Sequence, residues 1–126
     1  MSTDQLRDRV LIVEDEILVA MDLSDLLEEL GFQVVGPAAR VEDALGLIDR
    51  ETGIDVALLD INLAGDRSWP VARELLRRGI GFAFLSGYEL GQAGIPEDLR
   101  EAPVCPKPIE LEHLKGCIQK ARSPAP

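Results

Sequence analysis

Positive charge is scarce in this sequence. Its 13 Lys and Arg residues face 23 Asp and Glu residues, a formal net charge of −10. Such a surface repels phosphate, so direct nucleic-acid binding is not expected. Cysteine is nearly missing as well. Cys105 and Cys117 are too few for a disulfide framework, fit a reducing cytosol, and read as small buried hydrophobes rather than a redox or metal pair. A structural zinc site takes about four Cys or His ligands, and His113 alone could join the two cysteines, which excludes zinc. No apolar run reaches the roughly 18 residues needed to span a bilayer. The start, Met1-Ser2-Thr3-Asp4-Gln5, has neither the basic segment nor the apolar stretch of a signal peptide. The expectation is a soluble cytoplasmic protein without membrane or nucleic-acid partners, as a monomer or weak dimer.

What is present suits one domain. The 126 residues are 46% hydrophobic, enough for a proper core. Residues 1–8 and 122–126 read as flexible ends around a domain spanning 9–121. Within it, short apolar runs alternate with helical patterns. Val10-Leu11-Ile12-Val13 is a β-branched-rich run of the kind buried on both faces of a sheet. Val19, Leu23, Leu26, Leu27 and Leu30 then form an amphipathic stripe stopped at Gly31. Val34-Val35 is a short strand closed by Gly36-Pro37, and Val41, Leu45 and Ile48 repeat at helical spacing. Val56-Ala57-Leu58-Leu59 ends at Asp60; Ser68 can cap a helix with Pro70 in its first turn and Gly79 beyond its end. Phe82-Ala83-Phe84-Leu85 ends at Ser86. Gly87, Gly91, Gly94 and Pro96 make residues 88–99 a poor fourth helix. Val104-Cys105 precedes Pro106-Lys107-Pro108, and Leu111, Leu114 and Ile118 mark a last helix. Five β-α repeats predict a doubly wound (βα)5 α/β fold: a parallel five-stranded sheet covered by helices on both faces.

In such sheets, sites form at the carboxyl ends of the strands. Glu14-Asp15, Asp60, Ser86 and Lys107 all fall there. Three converging carboxylates repel one another and call for protonation or a cation. A hard divalent ion, Mg²⁺ (or Mn²⁺), suits oxygen ligands and favours an incoming phosphate. Asp60 would then be a nucleophile toward phosphorus, giving an aspartyl phosphate. Lys107 supplies a positive charge for the phosphoryl oxygens and Ser86 a hydroxyl donor, while Gly87 keeps the approach open.

From about residue 9 to 121 the chain resembles a response-regulator receiver domain of the CheY-like, flavodoxin-like fold. The matching segments are Leu11-Ile12-Val13-Glu14-Asp15-Glu16, Leu58-Leu59-Asp60-Ile61-Asn62-Leu63, Ser86-Gly87 and Lys107-Pro108-Ile109. The resemblance implies strand order 2-1-3-4-5, with a short or irregular fourth helix. It also implies phosphoryl transfer to Asp60 from a histidine kinase or phosphotransfer protein. Asp15, Asp60 and the main-chain carbonyl of Asn62 would ligate Mg²⁺, with Glu14 acting mainly through water. Asp60 to Ser68 and Phe82 to Tyr88 are similar to the single-domain "FAT GUY" receivers of alphaproteobacteria, which are associated with stress signalling.

One departure concerns Val104, where most receivers carry an aromatic switch residue. Any output motion must therefore use something else, and Ser86 acting on residues 87–99, with Tyr88 replacing the ring, is the expected alternative. Trp69 reads as covering a helix start, His113 as an exposed titrating residue, and Arg77-Arg78 as a helix end. The expected role is that of a stand-alone phosphoacceptor, not an enzyme, acting on an unidentified downstream protein. Alternatives are a phosphoryl sink or shuttle in a phosphorelay, a haloacid-dehalogenase-like phosphatase, and a pseudo-receiver that only binds partners. The phosphatase order differs, because its nucleophile comes first with an acid two residues later, where Asn62 stands here.

Overall fold

A computed structural model describes residues 8–87 and 94–122. The elements run β1 (Arg9–Val13), α1 (Ile17–Glu29), β2 (Gln33–Ala38), α2 (Val41–Arg50), β3 (Val56–Asp60), β4 (Asn62–Leu63), β5 (Asp66–Arg67), α3 (Trp69–Arg77), β6 (Gly81–Ser86), a 3-10 turn (Glu97–Leu99), β7 (Val104–Pro106) and α4 (Leu111–Arg122). Five strands form one parallel sheet in the order β2-β1-β3-β6-β7. That is the expected order 2-1-3-4-5 once the two strands of a small separate ribbon are set aside. Among the described residues no helix is long and apolar enough to cross a membrane.

The apolar runs work as their period dictates. Neighbouring residues of a strand point to opposite faces, so Leu11, Val13, Ala57, Leu59, Phe82 and Phe84 join α2 and α3 in one cluster. Val10, Ile12, Val56, Leu58, Ala83 and Leu85 join α1 and α4 in the other. Each fully buried Leu, Ile or Phe contributes roughly 1.5–3 kcal/mol by leaving water, so the two-sided sheet carries much of the stability. Trp69 packs edge-on to Phe84 with ring centres 5.5 Å apart, which matches its reading as a packing residue. Gly81, at the foot of β6, is required by space: a Cβ there would stand 1.9 Å from the carbonyl oxygen of Ala121 in α4.

Three local expectations need correction, while the poor helix expected over 88–99 agrees with the part described. β2 does not close at Gly36-Pro37 but runs through to Ala38, with a register irregularity between Leu11 and Val13. Ser68 occupies the position before α3, yet its side chain makes no capping bond; its buried hydroxyl has no hydrogen-bond partner among the described residues, and its carbonyl accepts from Val71 and Ala72 instead. Segment 88–99 was expected to be a poor helix, and its described part, residues 94–99, holds only a bend and the 3-10 turn. Tyr88 and the rest of 88–93 lie outside the described residues. Finally, Cys105 and Cys117 are not two separate buried hydrophobes: they are joined by a disulfide between β7 and α4. A bonded pair also removes the ground on which a reducing compartment was expected. Arg77 and Arg78 end α3 by pairing with Glu74, and Arg78 also bonds the Ile48 carbonyl and Asp49 of α2.

Candidate functional site

Parallel strands in near-equal register bring their last residues to one edge. Val13 pairs with Leu59, Asp60 with Leu85, and Ser86 with Pro106. The main-chain N–H of Lys107 donates to the Ser86 carbonyl at 2.8 Å, which fastens the two strand ends together. Glu14, Asp60 and Ser86 are buried and Asp15 is exposed. One carboxylate oxygen from each of Glu14, Asp15 and Asp60 lies within 4.8 Å of the others. Glu14, Asp15, Asp60, Ser86 and Lys107 are therefore brought to one end of the sheet, with the strand register as the cause.

Lys107 stands between two of these carboxylates, its Nζ 2.7 Å from Glu14 Oε1 and 3.1 Å from Asp60 Oδ2. Glu14 Oε2 accepts the Glu16 N–H at 3.0 Å. Burial, reinforced by Asp60 and only partly offset by Lys107 and that N–H, pushes the Glu14 carboxyl from 4.5 up to about 7. Burial also works against the Lys107 ammonium, but Glu14 and Asp60 outweigh it and hold its pKa above the ordinary lysine value. One cation for three close carboxylates leaves excess negative charge on a cluster of oxygen donors. That donor set fits a hard divalent cation such as Mg²⁺, taking oxygen ligands and keeping waters.

A feature missed in the sequence sits beside it. After β3 the chain folds into the β4–β5 ribbon, pairing Asn62 with Arg67 and Leu63 with Asp66 around Ala64-Gly65. Both turn residues have positive φ, 50° for Ala64 and 92° for Gly65, as a type I′ hairpin turn requires. Gly65 signals such a turn; Ala64 hides it, because alanine avoids that conformation. The Ala64 N–H donates to Asp15 Oδ2 at 3.0 Å, so the turn tip is tied to the acidic pair. Asn62 donates weakly from its main chain to Asp60 Oδ1 at 3.4 Å, and its side chain faces solvent. Gly87 is exposed, and among the described residues a Cβ there would meet nothing within 4 Å. Val104 is half-buried and packs against the core cluster that contains Phe84. Also unforeseen are Ile17, Leu18 and Met21, which leave 72%, 74% and 56% of their surface in solvent on the start of α1, two to six residues beyond Asp15. His113 is exposed, as expected.

Comparison with known proteins bears on this geometry. The model of the response regulator receiver domain family matches residues 10–89. SdrG from Sphingomonas melonis Fr1, solved in solution, is 36% identical with a TM-score of 0.81, covering 98% of this chain and 100% of its own. The response regulator PhyR from Brucella abortus is 31% identical with a TM-score of 0.76, over 95% of this chain and 51% of that one. The transcriptional regulatory protein PdtaR of Mycobacterium tuberculosis is 29% identical over 119 residues, 91% of this chain. The chain spans 57% of the length of that curated relative.

Proposed function

The chain belongs to the response regulator receiver family, signalling domains of two-component systems rather than ordinary enzymes, and from that premise we propose that Asp60 is its phosphoacceptor. The observation that carries this reading is Lys107 Nζ held between Glu14 and Asp60 at one sheet edge. A carboxylate oxygen of Asp60 attacks phosphorus of a phosphohistidine; the P–N bond breaks, a P–O bond forms and the imidazole leaves. Lys107 gives its positive charge to the phosphoryl oxygens, and the Ser86 hydroxyl donates to one of them. Glu14, Asp15, Asp60 and the Asn62 carbonyl would hold Mg²⁺, which, when bound, neutralises the carboxylates and draws in phosphoryl oxygens.

The donor is a histidine kinase or a histidine phosphotransfer protein. Ile17, Leu18 and Met21, exposed at the start of α1 two to six residues beyond Asp15, offer that donor an apolar surface to dock on. Stress signalling is the pathway we favour, because one similar structure is described as the PhyR stress response regulator and another as the anti-anti-sigma factor PhyR. The deciding experiment is phosphotransfer from candidate kinases to wild type and to Asp60→Asn, with Mg²⁺ present or chelated. Alkali- and hydroxylamine-labile label should appear on wild type with Mg²⁺, and on neither Asp60→Asn nor the chelated sample. Label retained by Asp60→Asn would refute the assignment.

A further inference from the structure

Cys105 is buried in β7, two residues before Lys107, and Cys117 is half-buried in the middle of α4. Their Cα atoms are 6.3 Å apart and their sulfurs are bonded. They are the chain's two cysteines, so no third thiol competes for either. The segment they close contains Lys107 and the start of α4. Its first residues form the loop that carries the ammonium between Glu14 and Asp60.

The bond is not what keeps α4 on the sheet. Leu114, Ile118 and Ala121 are buried beneath the helix together with Leu85 and Leu58. With thiols in place of the bond, Cys105 and Cys117 would still pack there as small apolar side chains. Opening the bond therefore leaves the helix docked and changes mainly the freedom of the connecting loop. Cys105 is buried and Cys117 half-buried, so Cys117 is the residue more open to reagents from solvent.

We propose that Cys105 and Cys117 are a reversible redox clasp on the Lys107 loop, closed by a peroxide and opened by a small thiol. In closing, the Cys117 thiolate attacks one oxygen of hydrogen peroxide; the O–O bond breaks, hydroxide leaves and a sulfenic acid forms. The Cys105 thiolate then attacks that sulfur and expels the hydroxyl as water. Two thiols and one peroxide become one disulfide and two waters. In opening, two thiol molecules exchange in turn and leave as their own disulfide. The closed clasp restrains the Lys107 loop, the open clasp frees it, and phosphoryl uptake follows the loop. That last consequence rests on Asp60 being the phosphoacceptor; the clasp itself does not.

The test uses the full chain, first without metal or phosphodonor. Reduced protein treated with hydrogen peroxide should lose about 2 Da as a monomer. Amide exchange at Lys107 and at residues 109–111 should slow about tenfold, and dithiothreitol should restore it. Cys117→Ser should fold, keep the fast exchange and ignore peroxide. Disulfide-linked dimers, an unchanged exchange rate after oxidation, or an equal response from Cys117→Ser would each overturn the clasp. Phosphorylation by a small-molecule phosphodonor with Mg²⁺ is then compared between the two redox states, and the initial rates should differ several-fold. Equal rates would overturn the link to the site. No phosphorylation in either state, with the exchange difference intact, would overturn the acceptor role of Asp60 and leave the clasp supported.

Discussion

At the scale of single residues, Glu14 carries the clearest consequence. Its carboxyl titrates near 7 in the folded chain against 4.5 when unfolded, because burial disfavours its charge. Below pH 4.5 it is protonated in both states. As pH rises toward 7 the unfolded chain sheds this proton while the folded chain retains it, so the stability that the proton confers is lost across that window. With metal chelated, wild type should lose on the order of 3 kcal/mol between pH 4.5 and 8 relative to Glu14→Gln, measured by urea unfolding at each pH. Identical pH profiles for the two proteins would sink the idea. Ala64 offers a second check. Its φ of 50° is unfavourable for a residue with a Cβ, so Ala64→Gly should stabilise the chain by about 1 kcal/mol and raise its melting temperature by a few degrees. These two residues also show what a sequence can and cannot reveal. Glu14 was legible as a site residue because it follows a strand, but its pairing with Lys107 belongs to side-chain geometry across the sheet. Ala64 gave the opposite signal from its conformation.

Among the elements, the strands were the easiest to read, since each buried run carries its own period and ends at a polar residue. α1 was harder. The stripe from Val19 to Leu30 marked its inner face correctly, but nothing in that stripe indicated that Ile17, Leu18 and Met21 would stand in solvent. Replacing all three by serine should slow phosphotransfer from a protein donor about tenfold or more, while a small-molecule phosphodonor, which needs no such surface, labels the variant at the wild-type rate. Equal loss with both donors would show that the change damages the site instead. The contact between α4 and the foot of β6 is a different kind of constraint. Gly81→Ala drives a methyl into the Ala121 carbonyl, and backbone on both sides leaves little room to yield. A loss of about 2 kcal/mol or more in urea unfolding is expected, with the strand order unchanged. The disulfide between β7 and α4 was read the wrong way because two cysteines 12 residues apart say nothing of distance in space until the last strand and helix are docked.

For the whole molecule, the charge excess that opened the sequence reading is partly local. Glu14, Asp15 and Asp60 gather at one end of the sheet, so a divalent cation bound there should stabilise the folded state alone. Mg²⁺ at a hundredfold excess over its dissociation constant should add about 2.7 kcal/mol, seen as a rise in melting temperature that EDTA reverses and that Asp60→Asn largely abolishes. A second property follows from how the chain enters and leaves the fold. Arg122, ending α4, is ion-paired with Asp8, just before β1, and this corner lies at the foot of the sheet, opposite Asp60. A folded module fused directly at residue 8 or at residue 122 would emerge from that corner, away from Asp60. A short peptide joining residue 122 to residue 8 would turn the domain into a ring without moving a single strand end.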